Sequence, residues 1–212
     1  MPIRAVISDF GGVLTTPLLD SFSAFQDETG ISGATLGRAM RRIAERDGAH
    51  PLFELEKGNL TEPAFLAQVS EALEPELGHR PEMHRFKEIY FRALKPNEPM
   101  IEQMRALRER GYRMALLTNN VREWEPYWRS MVPVDDIFEV VVDSGFVGMR
   151  KPQPEIYELT LERLGDGIAA ADCLFVDDLE VNIDAARTLG MTAVHFRASE
   201  QAIGEIESAL GG

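Results

Sequence analysis

The stretch from Ile3 to Thr15, IRAVISDFGGVLT, decides how the rest of the chain is read. Its first half is an apolar, β-branched run of the kind that fills a strand buried on both faces. Its second half turns to an acid, Asp9, and then to a glycine pair, Gly11 and Gly12. In an open parallel sheet, ligands bind beyond the carboxyl ends of the strands, so a buried strand that ends in a carboxylate marks that edge. The same pattern recurs. Tyr112 to Thr118 (YRMALLT), Phe138 to Val142 (FEVVV), Cys173 to Val176 (CLFV) and Thr192 to Phe196 (TAVHF) are predicted strands. Amphipathic spacing predicts helices between them at Met100 to Arg110, Arg122 to Met131, Pro154 to Leu164 and Glu180 to Leu189. Gly111, Gly165 and Gly190 follow three of these helices, at the place where a glycine cap ends a helix. The expected fold class is α/β, a Rossmann-like parallel sheet with helices on both faces.

One segment breaks the alternation. From Pro17 to Leu94 there is no strand-like run, only helical spacing such as Phe22/Phe25, Leu36/Met40/Ile43, Phe65/Val69/Leu73 and Phe86/Ile89/Tyr90, interrupted at Gly30, Gly48 and Gly58. Lys95 to Pro99, KPNEP, reads as the return linker. The expected organisation is a core built from residues 1–16 and 96–212, with an all-helical insert, 17–95, placed after the first strand.

Composition bounds the partners. The 212 residues carry 22 Lys and Arg against 35 Asp and Glu, a formal net charge of −13. Such a chain gains little from releasing counterions on nucleic acid and is repelled by an anionic membrane surface, so neither is an expected partner. The single cysteine, Cys173, excludes an intramolecular disulfide and a cysteine-rich zinc site. The apolar run at the N-terminus is too short for a signal segment and stops at Asp9, and no stretch approaches the ~20 apolar residues of a membrane span. The expectation is a cytoplasmic protein.

The strand ends carry the chemistry. Asp9 follows the first strand, Thr118-Asn119-Asn120 ends the second, Asp177-Asp178 ends the fourth, and Gly148-Met149-Arg150-Lys151-Pro152 sets a lysine before a predicted helix. Asp9, Asp177 and Asp178 offer the hard oxygen ligands that Mg²⁺ requires, and the cation would let clustered carboxylates coexist with an incoming phosphate. A carboxylate oxygen left free of the metal can attack phosphorus, while Thr118, Asn119 and Lys151 bind the phosphoryl oxygens as charge develops.

At these residues the sequence resembles the haloacid dehalogenase superfamily, in the branch with a helical cap after the first strand, and is especially similar to the N-terminal phosphatase-like domain of soluble epoxide hydrolases. DFGGVLT, LLTNN, GMRKPQPEIY and FVDDLEVNIDAARTLGM match its four motifs in order. The resemblance implies that residues 17–95 form the cap. It implies Asp9 as nucleophile and Mg²⁺ ligand, the Gly11 carbonyl as a further ligand, Thr118 and Lys151 as phosphate holders, and Asp177 and Asp178 as metal-side acids, either of which can be the direct ligand, with Asp178 favoured. It implies a hydrolase acting on a small phosphorylated metabolite.

One position departs from the family. Gly11 stands where most of its phosphatases have a second aspartate that protonates the leaving group, a contribution of about 10²- to 10⁴-fold. The expectation is slow hydrolysis, a restricted choice of ester, or loss of catalysis. Two alternatives follow from this glycine: a 2-haloacid dehalogenase, whose family members also lack that aspartate, and a silent domain that binds a phosphorylated ligand or a protein. The Asp177-Asp178 pair argues against dehalogenation, which needs no metal-binding diacid.

The remaining polar candidates read as structural. Asp178 can also be the cap of the helix near Glu180, and Asn182 reads as a residue of a solvated first turn, although the family uses this position to support the metal loop. His195 reads as a packed strand histidine, Trp124 and Trp128 as packing, and Arg41, Arg42 and Arg46 as a solvated helix face. Oligomeric state is open.

Overall fold

β1 (Ala5–Ser8) consists of Ala-Val-Ile-Ser, and all four residues are fully buried. The computed structural model describes residues 2–211. The other strands are β2 (Arg113–Thr118), β3 (Val140–Asp143), β4 (Cys173–Asp177) and β5 (Thr192–His195). All pair in parallel, in the order β3-β2-β1-β4-β5, so the first strand lies at the centre. Ser8 lies opposite Leu116 on one side and Val176 on the other, which sets Asp9 level with Asp177 and one residue short of Thr118. The Asp9 amide continues the ladder by donating to the Val176 carbonyl at 2.9 Å.

Between β1 and β2 the chain leaves the sheet for α1 (Leu18–Thr29), α2 (Gly33–Asp47), α3 (Pro51–Glu56), α4 (Glu62–Leu77) and α5 (Phe86–Ala93). Ser32 starts α2 by accepting the Thr35 amide at 3.1 Å, and Pro51 sits in the first turn of α3, where a missing N–H costs nothing. Phe25, Leu36, Ile43, Val69, Leu73 and Ile89 are buried among these helices and join a cluster that reaches the sheet. The outgoing and returning connections run side by side. The Thr16 amide donates to the Lys95 carbonyl at 2.8 Å, and Asn97 Nδ2 donates to the Val13 carbonyl at 2.8 Å.

The return leads into α6 (Glu98–Glu109), followed after β2 by α7 (Glu125–Met131) and the single turn α8 (Val134–Ile137). After β3 come the single turn α9 (Ser144–Val147) and α10 (Pro154–Leu164), after β4 comes α11 (Glu180–Thr188), and α12 (Ser199–Leu210) closes the chain. Val6, Leu116, Leu174 and Val176 pack on one face with Met104 of α6 and Ile206 of α12. Ile7, Leu117 and Phe175 pack on the other with Ile156 of α10 and Ile183 of α11. Alternate residues of each strand thus serve opposite layers, and the α/β sandwich with helices on both faces is established. Among the described residues no helix is long and apolar enough to cross a membrane.

Three details differ from the sequence expectation. Most of the strands are shorter than the apolar runs, so Phe10, Phe138 and Phe196 lie outside them, whereas β3 and β4 each run on to an acid beyond the predicted end, Asp143 and Asp177. The expected helix Arg122 to Met131 is a 3-10 turn, Arg122–Trp124, followed by α7, because Pro126 in the first turn of α7 has no amide to continue the earlier turn. β5 is an edge strand with Thr192 exposed rather than a doubly buried one, and α12 lies beyond the last helix read from the sequence.

Candidate active site

Leaving β1, the chain can no longer pair on both sides, and Asp9 turns its carboxylate over the sheet edge. Its Oδ1 accepts the Phe10 amide at 2.7 Å and lies 2.7 Å from Lys151 Nζ. Lys151 also reaches Asp177 Oδ2 at 2.6 Å, with its side chain 1% exposed. Burial alone would lower the proton affinity of this ammonium, but Asp177 and Asp9 outweigh it and hold the lysine above its ordinary range. Burial drives Asp9 the other way, well above the usual carboxylate range; Lys151 opposes the shift, and Asp177 and Asp178 reinforce it. Asp9 Oδ2 takes no hydrogen bond from any described residue, so one carboxylate oxygen is anchored and the other is free.

Asp177 is saturated by donors. Besides Lys151, it accepts the Leu179 amide at 2.8 Å, and Asn182 Nδ2 lies 3.0 and 3.1 Å from its two oxygens. Asn182 is therefore not on a solvated turn but buried, because the first turn of α11 folds back over the end of β4. Asp178 does not cap α11; the N-cap residue, Leu179, has no side-chain cap bond, and its amide donates to Asp177 Oδ1 instead. Asp178 instead leans over Gly12, where an added Cβ would collide with Asp178 Oδ2 and where φ is +78°, so glycine is required on both counts. Burial and then Asp177 push Asp178 up to about 6, against Lys151. His195 Nε2 donates to the Asp178 carbonyl at 2.9 Å, which holds the loop from the neighbouring strand.

One carboxylate oxygen from each of Asp9, Asp177 and Asp178 lies within 4.8 Å of the others. Three carboxylates against one ammonium leave two negative charges, which a divalent oxygen-seeking cation cancels; the donor set fits Mg²⁺. Thr118, 1% exposed, ends β2 beside this cluster. Asn119 Nδ2 donates to the Lys151 carbonyl at 3.0 Å, and the Lys151 amide donates to Asn119 Oδ1 at 2.8 Å, so the side chain of Asn119 fixes the backbone that carries Lys151.

Above the edge lies a cavity of about 160 Å³, walled by the helical insert and floored by Phe10, Gly11, Thr118 and Asn119. Its walls are apolar, with Phe22, Leu36, Met40, Phe65, Phe86 and Trp124 among them. Trp128 is fully buried in the floor, in keeping with its reading as packing, and Trp124 Nε1 donates to Glu62 Oε1 at 2.9 Å. Beside Gly11 the space is filled by Leu18 of α1, whose methyl carbons would lie 3.2 and 3.3 Å from an added Cβ. Arg46 pairs with Asp47 at the surface and Arg42 donates to the Ala72 carbonyl, so neither points to the cavity.

Two residues of this site were not found by sequence reasoning. Glu56, at the end of α3, lines the cavity and pairs with Arg150 at 2.6 Å across 94 positions of sequence. Leu18 looked like the ordinary start of a helix. Neither has a local signal; the adjacency of Arg150 to Lys151 was the one available hint.

The family model described as haloacid dehalogenase-like hydrolase matches residues 3–190. Bifunctional epoxide hydrolase 2 of Sus scrofa is 27% identical over 223 residues, which cover 100% of this chain and 39% of that protein. The chain thus spans about two fifths of that relative's length. The phosphatase MT3486 of Mycobacterium tuberculosis is 30% identical over 197 residues, 91% of this chain and 87% of its own. Among solved structures, a HAD family enzyme of Bacteroides thetaiotaomicron in complex with magnesium and inorganic phosphate aligns with a TM-score of 0.63 at 24% identity, over 92% of this chain and 95% of that one.

Proposed function

Because this chain belongs to the haloacid dehalogenase-like hydrolase family, we propose that it is a Mg²⁺-dependent phosphoric monoester hydrolase working through an aspartyl-phosphate on Asp9. The observation that carries this reading is the convergence of Asp9, Asp177 and Asp178 around the buried Lys151. Asp9 and Asp178, with the Gly11 carbonyl, are the groups to hold the cation; Asp177, already saturated by Lys151, Leu179 and Asn182, orients the loop. When bound, Mg²⁺ neutralises the carboxylates and polarises the phosphoryl oxygens.

The residues of the chain divide the remaining work. The free oxygen of Asp9 attacks phosphorus while Phe10 and Lys151 hold the other in place. Lys151 and the Thr118 hydroxyl bind phosphoryl oxygens as charge grows on them, and Asn119 acts through the Lys151 backbone. Water then displaces Asp9 from phosphorus. The apolar cavity supports an organophosphate whose alcohol portion is apolar, because its walls offer a polar substrate few partners. The phosphatase relative supports the same reaction class.

Phosphate release from a panel of alkyl, aryl and sugar phosphates is expected to require Mg²⁺ and to vanish in Asp9→Asn. Equal release by the wild type and this variant across the panel would exclude the reading. A silent, ligand-binding domain is the second reading, favoured by Leu18 filling the space beside Gly11; Mg²⁺-dependent phosphate binding in calorimetry without turnover is its signature.

A further inference from the structure

The family's usual proton donor would project from position 11, but glycine stands there and Leu18 fills the space. If the hydrolase reading holds, the proton for an unactivated alcohol must come from elsewhere in the cavity. Among the described residues that line it, Glu56 carries the one carboxyl group, and Gly11, Thr118 and Asn119 line the same cavity. Its position is fixed. Glu56 Oε2 accepts from Arg150 Nε at 2.6 Å, the two side chains are 15% and 16% exposed, and the guanidinium is stacked over Phe53 at 4.0 Å from the ring centre. Arg150 precedes Lys151, so the pair ties α3 to the loop that holds the phosphate-binding ammonium.

We infer that Glu56, reaching from the helical insert, is the acid–base residue of this active site, acting on phosphate esters of apolar aliphatic alcohols. The inference rests on the aspartyl-phosphate reading above. In the first step Asp9 Oδ2 forms a bond to phosphorus, the bond from phosphorus to the alcohol oxygen breaks, and the Glu56 proton passes to that oxygen, releasing the alcohol. The Glu56 carboxylate left behind is held by Arg150. In the second step water bonds to phosphorus, its proton passes to Glu56, and the bond to Asp9 breaks, releasing phosphate and restoring both carboxyl groups.

The surroundings of Glu56 suit this alternation. Burial raises its proton affinity above the ordinary glutamate range, the direction a proton donor needs, while Arg150 and then Lys151 act in the opposite sense. Tyr90 shares the cavity but is a poorer donor, since burial, Glu56, Asp9 and Asp178 all push its hydroxyl upward.

The test is the leaving-group dependence of Glu56→Gln, which keeps the shape and a hydrogen-bond acceptor for Arg150. With Mg²⁺ present, single-turnover cleavage of hexyl phosphate is expected to fall about 10²- to 10⁴-fold. Single-turnover release of nitrophenolate from p-nitrophenyl phosphate, whose leaving group needs no proton, is expected to stay within about 3-fold of wild type, followed by slow steady-state turnover as the phosphoenzyme accumulates. That retained burst also shows that the variant is folded. Equal losses on both esters in Glu56→Gln, or no loss on either, overturn the role of Glu56 while leaving the hydrolase reading intact. If the wild type cleaves neither ester faster than Asp9→Asn, the hydrolase reading falls first and the role of Glu56 with it.

Discussion

At the scale of single residues, Gly11 and Leu18 restrain each other. Gly11 does not have a positive φ, so its backbone accepts a side chain; what an aspartate would meet is the flexible end of Leu18. Gly11→Asp alone is therefore expected to place its carboxylate poorly, among methyl groups that do not solvate it. Adding Leu18→Ala opens the space. The double variant is expected to cleave an alkyl phosphate about 10-fold faster than Gly11→Asp, a part of what a well-placed acid contributes. A steady-state comparison of the two variants that finds no difference would show that Leu18 does not control the position. Asp9, Thr118, Asp177 and Asp178 were legible in the sequence because each closes or follows an apolar run at a strand end, and Lys151 because it stands with Pro152 just before a helix, both local signals. Asn182 was misread as solvated because a polar residue on a first turn looks the same in sequence whether it faces water or a buried carboxylate.

At the scale of elements, Glu62, in the first turn of α4, is one of the polar groups that seat the helical insert on the core. It is 8% exposed, accepts from Trp124 Nε1 at 2.9 Å and lies 3.1 Å from Lys87 Nζ, while its amide donates to Glu123 Oε1 at 3.1 Å. Glu62→Ala leaves the buried indole N–H without its acceptor and the ammonium without its counterion. A loss of about 1–3 kcal/mol is expected in urea denaturation, with Glu62→Gln costing less because it retains an acceptor for Trp124. Equal costs for the two variants would assign the stability to side-chain packing instead. The helices themselves were legible from apolar spacing, but their seating was not: Glu62 and Trp124 are 62 positions apart, and no periodicity links them.

For the whole molecule, the net charge of −13 is compatible with an anionic substrate because the chain concentrates its charge balance locally, with Lys151 buried between two acids. Buried charge also makes the stability depend on pH. Asp143, at the end of β3 opposite Thr118, is 5% exposed; its Oδ1 accepts the Gly145 amide at 2.9 Å, and its buried Oδ2 has no hydrogen-bond partner among the described residues. Burial pushes it up to about 6; the Gly145 bond opposes this, Glu125 adds to it, and Arg129 and Arg122 oppose it. With the folded value above the unfolded one of about 3.9, the native state binds the proton more tightly, so this contribution is present below about pH 4 and is lost as pH rises through about 6. The loss is on the order of 3 kcal/mol, and Asp143→Asn is expected to gain stability over wild type progressively from pH 4 to 7, measured by denaturation at each pH. Parallel curves for the two proteins would contradict it. By itself the sequence determined the strand–helix alternation, the helical interruption after the first strand and the polar strand ends, because burial periodicity and chain turns are local properties. Only the tertiary structure decided that Leu18 fills the space beside Gly11, that Asn182 faces Asp177 and that Glu56 meets Arg150. Those contacts join segments that come together only when the helical insert packs over the sheet edge and α11 folds back on β4, and packing between separate segments follows shape, which no short stretch of sequence contains.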